Sequence, residues 1–394
     1  MGALKSAGYE AFMVGGAVRD ALLGRPVEDI DIASSADAET AMQVLADAGA
    51  HVIPTGIAHG TITAVLDGEV FEVTAFRVDG SYSDSRHPDS ISSAHSIEED
   101  LARRDFTINA MAYNEQRGLV DPFGGQADLD RRIIRCVGDP KVRFGEDALR
   151  IMRAIRFSAQ LGFSIEEETA SAIHEFGSSL IGISRERIGT ELAKTICAPG
   201  GAIALQPFTD IICTVLPDAS PEMIGENLRV LAQLDSEELP LRLAALLGSD
   251  GNLGRFLSSL RLPKRTADNC LAIAEAASRE LPHTTYQGKI MLGRYGASVA
   301  CAALELAGAR LMADGIEADS AIEARRIIGD LVDSGACCTV GALAVDGSDI
   351  KREWGLDGVD IGRALHALLD LVMRDEVSNE REALLGARGS LPGC

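Results

Sequence analysis

The stretch Val14-Gly15-Gly16-Ala17-Val18-Arg19-Asp20, followed by Glu28-Asp29-Ile30-Asp31, decides the fold of this chain. The apolar run Ala11-Phe12-Met13-Val14 reads as a short buried strand. Gly15 and Gly16 let the backbone come close to an anion, and the residues from Ala17 onward open a helix, whose N-terminus favours phosphate. Arg19 falls in its first turn and adds a charged fork for a triphosphate. Ile30-Asp31-Ile32-Ala33 reads as a second strand. Residues i and i+2 of a strand share a face, so Asp29 and Asp31 point the same way. Mg²⁺ takes one or two carboxylates plus substrate phosphates, which suits this pair. The strand at 70–76 supplies Glu72 as a third carboxylate. A lone Gly-Gly is an ordinary turn and a lone Asp-x-Asp a solvated strand end. Turn, carboxylate pair and third acid in this order point to nucleotidyl transfer.

Working outward, further strands are expected at 51–54, 61–66 and 119–121. From about residue 140 the apolar spacing is helical, over 146–161, 166–176, 185–197, 226–234, 238–247, 268–278, 296–313, 320–333 and 360–373. Strands followed by helices define an α/β or α+β chain. No internal repeat is evident, and the last residues from Gly386 read as frayed.

With 394 residues and 46% hydrophobic content, several cores are available. There is no run of about 18 apolar residues and no charged-then-apolar leader, so neither a membrane span nor a signal peptide is read. Eight cysteines without a Cys-x-x-Cys, two of them adjacent at 337 and 338, suit a reduced, cytoplasmic protein. The net charge of −22 argues against a general nucleic-acid binder, because phosphate backbones reward basic surfaces. Residues 101–160 run the other way, with eleven Arg and Lys against eight Asp and Glu. A narrow basic groove on an acidic body is the expectation.

Five motifs, in order, make the chain resemble the class II tRNA nucleotidyltransferases, the bacterial and eukaryotic CCA-adding enzymes with their poly(A) polymerase relatives. The first runs from Gly15 to Asp31. The second is Arg103-Arg104-Asp105, the third Asp121-Pro122-Phe123-Gly124-Gly125, the fourth Glu146-Asp147-Ala148-Leu149-Arg150 continuing to Arg153 and Arg156, and the fifth Ile183-Ser184-Arg185-Glu186-Arg187-Ile188. The resemblance implies an α+β fold, a mixed-sheet nucleotidyltransferase head (1–137) followed by an all-helical neck (138–200), body (201–290) and tail (291–394). It implies that Asp29 and Asp31 bind Mg²⁺, with Glu72 beside them. Gly15, Gly16, Arg19 and Arg104 would hold the triphosphate and ribose. Asp147 and Arg150 would read the incoming base, with Arg153 and Arg156 nearby. Glu186 and Arg187 read as braces of the neck helix. The stretch 79–89 matches the family's flexible loop, which helps the switch from C to A addition. The opening residues 1–7 are a clipped version of the family's first helix.

The base-reading assignment has its own chemical logic. Asp147, Arg150, Arg153 and Arg156 recur every three residues, a gently drifting stripe if all lie on one helix. A carboxylate accepts and a guanidinium donates. Cytosine and adenine each present an amino donor beside a ring-nitrogen acceptor, which fits Asp147 and Arg150, whereas uracil and guanine reverse that polarity. The expectation is addition of the 3′-terminal CCA to tRNA from CTP and ATP, with Mg²⁺, pyrophosphate as leaving group, protein as template and no obligate protein partner. The tail would hold the tRNA elbow. The alternatives are a CC-adding or A-adding enzyme, a poly(A) polymerase, or an inactive RNA-binding protein. Many relatives carry a His-Asp phosphohydrolase site after the neck. Gly248 stands where its histidine is expected and Ser249 at the next position, so no metal site is read in the body.

Overall fold

The computed structural model describes residues 1–57, 60–80, 91–216, 218–248 and 252–390. The stretch 79–89 matched to the flexible loop lies almost wholly outside them, as do Ser249 and the final four residues. Two compact units are present, Met1–Glu222 and Met223–Cys394.

The first unit is built on a seven-stranded mixed sheet, as expected for an α+β head. Its strands are β1 (Ala11–Val14), β2 (Ile30–Ser34), β3 (His51–Gly56), β4 (Thr61–Leu66), β5 (Glu69–Ala75), β6 (Ala112–Asn114) and β7 (Gly118–Val120), in the order β3-β4-β5-β2-β1-β6-β7. β2 pairs parallel with β5 and antiparallel with β1. Sequence reading missed β6, which has only three residues to alternate.

Alternation along β2 sorts its side chains. Ile30 and Ile32 pack with Ala41, Met42 and Leu45 of the helix Ala38–Asp47. Ala33 packs on the other face with Val14, Ile97 and Leu101. Asp29 and Asp31 therefore fall on the face away from the Ala38–Asp47 helix. After β1, Gly15 takes φ 67° and ψ −128°, a conformation that only glycine adopts readily, and α1 (Gly16–Leu22) begins.

Helices complete this unit. α2 (Pro140–Glu146) starts with an Asp139 side-chain cap and proline in its first turn. α3 (Leu149–Leu161) buries Ile151, Met152, Ala154 and Ile155 and ends at Gly162, whose φ of 70° suits a helix C-terminus. α4 (Arg185–Ile196) follows. The helix expected over 146–161 is broken: Asp147 is extended (φ −141°, ψ 101°) between α2 and α3. Asp147 is thus not part of a single-helix stripe with the three arginines.

The second unit is helical. Trp354 is buried with Ile350, Leu368 and Leu384, and its indole N–H donates to the Leu385 carbonyl at 3.1 Å. Its longest helix, Thr285–Ala313, has the length and hydropathy to cross a membrane. It is broken at Gly296 (φ 75°), carries Lys289, Arg294, Glu305 and Arg310, and contributes Leu292, Ala300 and Leu304 to a core with Ile327 and Ile328. It is a core helix by packing. Just past Gly386, where fraying was expected, Ala387–Ser390 forms a 3₁₀ turn and Ala387 is buried.

Candidate active site

A cavity of about 720 Å³ in the first unit is lined by every residue singled out for catalysis or nucleotide binding: Gly15, Gly16, Arg19, Asp29, Asp31, Glu72, Arg104, Asp147, Arg150, Arg153 and Arg156. Eight guanidiniums and seven carboxylates line it, a local cation excess in a chain of net charge −22.

The acids occupy the sheet wall. Asp31 on β2 stands opposite Glu72 on β5 in register, and Asp29 precedes Asp31 by two positions. Among the described residues none of the three carboxylates accepts a hydrogen bond or forms an ion pair. Partial loss of water raises the Asp31 carboxyl; Arg104 opposes this and Asp29 adds to it. Glu72 is raised in the same way, by desolvation and then by Asp31. Partly desolvated carboxylates side by side form a natural cation site. No group of three or more His, Cys, Asp or Glu among the described residues is disposed to hold a metal ion. The donor set is therefore a carboxylate pair with Glu72 nearby, open to the cavity, which suits an ion that completes its shell with phosphate and water.

The glycine turn brings Arg104 in. A Cβ on Gly15 would lie 2.8 Å from Arg104 Nη1, so a side chain there would push the end of that guanidinium aside. Arg104 Nη2 donates to Asp100 at 3.3 Å, and Arg103 donates to the same carboxylate at 2.7 Å. Burial works to raise Asp100, but the two arginines outweigh it and hold the carboxyl below its ordinary range.

Arginines fill the opposite wall. Arg19 donates to Asp20 at 2.8 and 2.9 Å and to Asn109 at 2.7 Å. Arg153 donates twice to Asp105 Oδ2, at 2.6 and 2.9 Å. Burial alone would raise Asp105; Arg153 and Asn109 bring it down to about 2. Arg156 donates to Glu191 at 2.6 Å. Arg19, Arg153 and Arg156 all stand over the Phe157 ring, 5.3, 5.4 and 4.1 Å from its centroid. Phe157, with no mark in the sequence beyond its place on α3, is thus a site residue that sequence reading missed.

At the far end, Arg150 is largely buried and donates to Glu146 (2.6 Å), the Arg143 carbonyl (3.1 Å) and the Arg103 carbonyl (2.9 Å). Asp147 accepts from the Leu149 amide at 3.0 Å and from Arg187 at 3.2 Å. Arg187, read as a neck brace, lines the cavity. Only the packing of α3 on α4 brings it there, and no local pattern signals this.

A mixed-sheet head with a glycine turn, a carboxylate pair and a wall of arginines defines a nucleotidyltransferase. Residues 11–135 match the poly A polymerase head domain, and 162–208 match a domain described as a probable RNA and SrmB-binding site of polymerase A. The CCA-adding enzyme of Geobacillus kaustophilus is 38% identical over 391 residues, 97% of this chain and 93% of the relative. The crystal structure of the Bacillus stearothermophilus CCA-adding enzyme in complex with CTP superposes with a TM-score of 0.80 at 34% identity, covering 98% of this chain and 94% of that one. The Thermotoga maritima CCA-adding enzyme complexed with tRNA shares the fold, with a TM-score of 0.69 at 21% identity over 99% of this chain and 93% of that one. The chain belongs to the family of CCA-adding enzymes. Nucleotidyltransferases of this kind generally use divalent metal ions.

Proposed function

We propose that this chain adds the 3′-terminal CCA to tRNA from CTP and ATP, releasing pyrophosphate, and that it works in the cytoplasm. The observation that carries this reading is the two-walled cavity, acids on the sheet and arginines on the helices, in a chain whose relatives are named for CCA addition. Asp29 and Asp31 would hold Mg²⁺, with Glu72 beside them. Mg²⁺ in that position supplies charge neutralisation at the reacting phosphate. Arg19, Arg104, Arg153 and Arg156 bind and orient the triphosphate and ribose, and the glycines keep the turn open for them. The tRNA 3′-hydroxyl loses its proton to solvent water as it attacks the α-phosphate, the new P–O bond forms as the bond to pyrophosphate breaks, and the side chains act by positioning and charge. Asp147 accepts from the exocyclic amino group of cytosine or adenine, and Arg150 donates to the ring nitrogen. Arg150 Nη1 is fully committed to Glu146 and the Arg143 carbonyl, but Nη2 donates only to the Arg103 carbonyl among the described residues and keeps an N–H for this role. The division of labour follows the chain: head 1–137, neck 138–200, body 201–290, and tail 291–394 at the tRNA elbow.

The test is extension of a tRNA transcript lacking its last three nucleotides, with Mg²⁺ and each NTP alone and then together. Two additions with CTP alone, and three only with CTP plus ATP, are the expected result. A stop after two C makes it a CC-adder; a ladder with ATP alone makes it a poly(A) polymerase; no extension removes the enzymatic reading.

A further inference from the structure

Two arginines of the same short segment behave differently. Arg185 braces α4: its Nη1 donates to the Val215 carbonyl at 2.8 Å. Arg187, two positions later, donates from Nη2 to Asp147 Oδ2 at 3.2 Å, across forty residues of sequence. Its Nη1 is buried and meets no acceptor among the described residues. A buried guanidinium nitrogen left without an acceptor is costly, so a site that keeps one is built for an acceptor that arrives with the ligand.

Asp147 explains which ligand group that is. Its two oxygens are each held once, Oδ1 by the Leu149 amide and Oδ2 by Arg187. An ionised carboxylate has about four lone-pair sites, so the held carboxylate still accepts from a further donor, in an orientation fixed at both ends. Arg150, the other guanidinium near this point, has both hydrogens of Nη1 engaged.

We propose that Arg187 is a specificity-determining residue of the base-reading site: it fixes the orientation of Asp147 through Nη2 and offers Nη1 to the acceptor edge of the incoming base. Cytosine and adenine bring an amino donor for Asp147 and, beside it, one ring-nitrogen acceptor, on which Nη1 converges with the remaining N–H of Arg150 Nη2. Uracil and guanine turn a ring N–H and a carbonyl the wrong way round, leaving Nη1 buried and Asp147 facing an acceptor. This inference rests on Asp147 being a base reader, as proposed above.

The experiment measures kcat/KM of the full-length protein for CTP against UTP, on a tRNA transcript lacking its last three nucleotides, and records a melting temperature for each variant. Arg187→Met is expected to lower the CTP/UTP ratio by about 10- to 100-fold. Arg187→Lys keeps the charge but lacks the fork needed to hold Asp147 and donate onward, so its ratio falls between Met and wild type. Arg185→Met, which loosens the brace alone, leaves the ratio unchanged. Wild-type discrimination in both folded Arg187 variants, with Asp147→Ala still losing it, overturns the inference and leaves the base-reading assignment standing. Wild-type discrimination in Asp147→Ala overturns both. If Arg187→Met does not fold, the Lys variant decides: an unchanged ratio overturns the inference.

Discussion

The two walls of the cavity are built on opposite terms. On the sheet wall the carboxylates of Asp29, Asp31 and Glu72 face the cavity without a hydrogen-bonding or ion-pair partner among the described residues, and loss of water, then like charge, raises two of them. On the helix wall Arg19, Arg150, Arg153 and Arg156 each have a carboxylate within 2.9 Å before any substrate arrives. The first wall is left electrostatically incomplete, to be completed by a cation. On the second wall these four arginines are tethered internally and their forks are held in place, Arg187 Nη1 being the exception, so less ordering remains when a triphosphate binds. Changes on the sheet wall should therefore cost activity without stability, and changes on the helix wall should cost both.

The largest effect is expected from Asp31→Asn. Removing a group that manages charge at the reacting phosphate should lower kcat by on the order of 10²–10³ or more. The melting temperature should hold or rise, because Asp29 and Glu72 lose a repelling neighbour. Added Mg²⁺ should raise the melting temperature of the wild type by mass action and leave that of Asp31→Asn unmoved. A variant that melts early, or one that still responds to Mg²⁺ like the wild type, would break the contrast between the walls.

Asp105→Asn is the matching change on the helix wall. Asp105 titrates at about 2 in the fold against 3.8 as its ordinary value. Its contribution is therefore present above pH 3.8 and lost as the pH falls through about 2, and the shift corresponds to roughly 2 kcal/mol. The asparagine variant should be less stable at neutral pH by about that amount, and its unfolding free energy should change less between pH 4 and 2. Denaturant titrations across that window check the sign. An Asn variant as stable as the wild type at pH 7 would mean that Arg153 is held by something other than Asp105.

The contrast also separates what was legible in the sequence from what was not. β2, β4 and β5 were readable because short runs of β-branched and apolar residues alternate with polar ones, and β1 because it is a short continuous apolar run. The sheet wall came with them, since i, i+2 spacing alone places Asp29 and Asp31 together. The helix wall was only half visible. Arg150, Arg153 and Arg156 declare themselves by spacing, but periodicity runs through Asp147 without a mark. The helix breaks there because the Asp147 side chain bonds the Leu149 amide instead of continuing the turn. Arg187 and Phe157 were missed for a different reason: Arg187 reaches Asp147 across forty residues, and Phe157 gains Arg19 and Phe106 only through packing between distant segments. In the second unit, periodicity found the apolar face of the Thr285–Ala313 helix but began it at the residue where Gly296 actually bends it.

Phe157→Leu gives the smallest expected effect and sharpens the comparison most finely. The ring is the one element shared by three arginines of the helix wall, and Phe106 meets it edge-on at 5.8 Å with the planes at 81°. Leucine keeps an apolar side chain against Phe106 but removes the ring face that the three guanidiniums share. Cation–π contacts at partly exposed positions are worth about 0.5–1 kcal/mol each. The ion pairs to Asp20, Asp105 and Glu191 survive the substitution, so the arginines stay charged and tethered but lose a common surface that sets their spacing. KM for CTP and for ATP should rise together, by roughly 5- to 10-fold, while the CTP/UTP ratio stays at the wild-type value. A changed ratio would mean that the phosphate-binding and base-reading parts of the wall are coupled through α3. An unchanged KM would mean that the carboxylates alone fix the arginines and the ring only fills space.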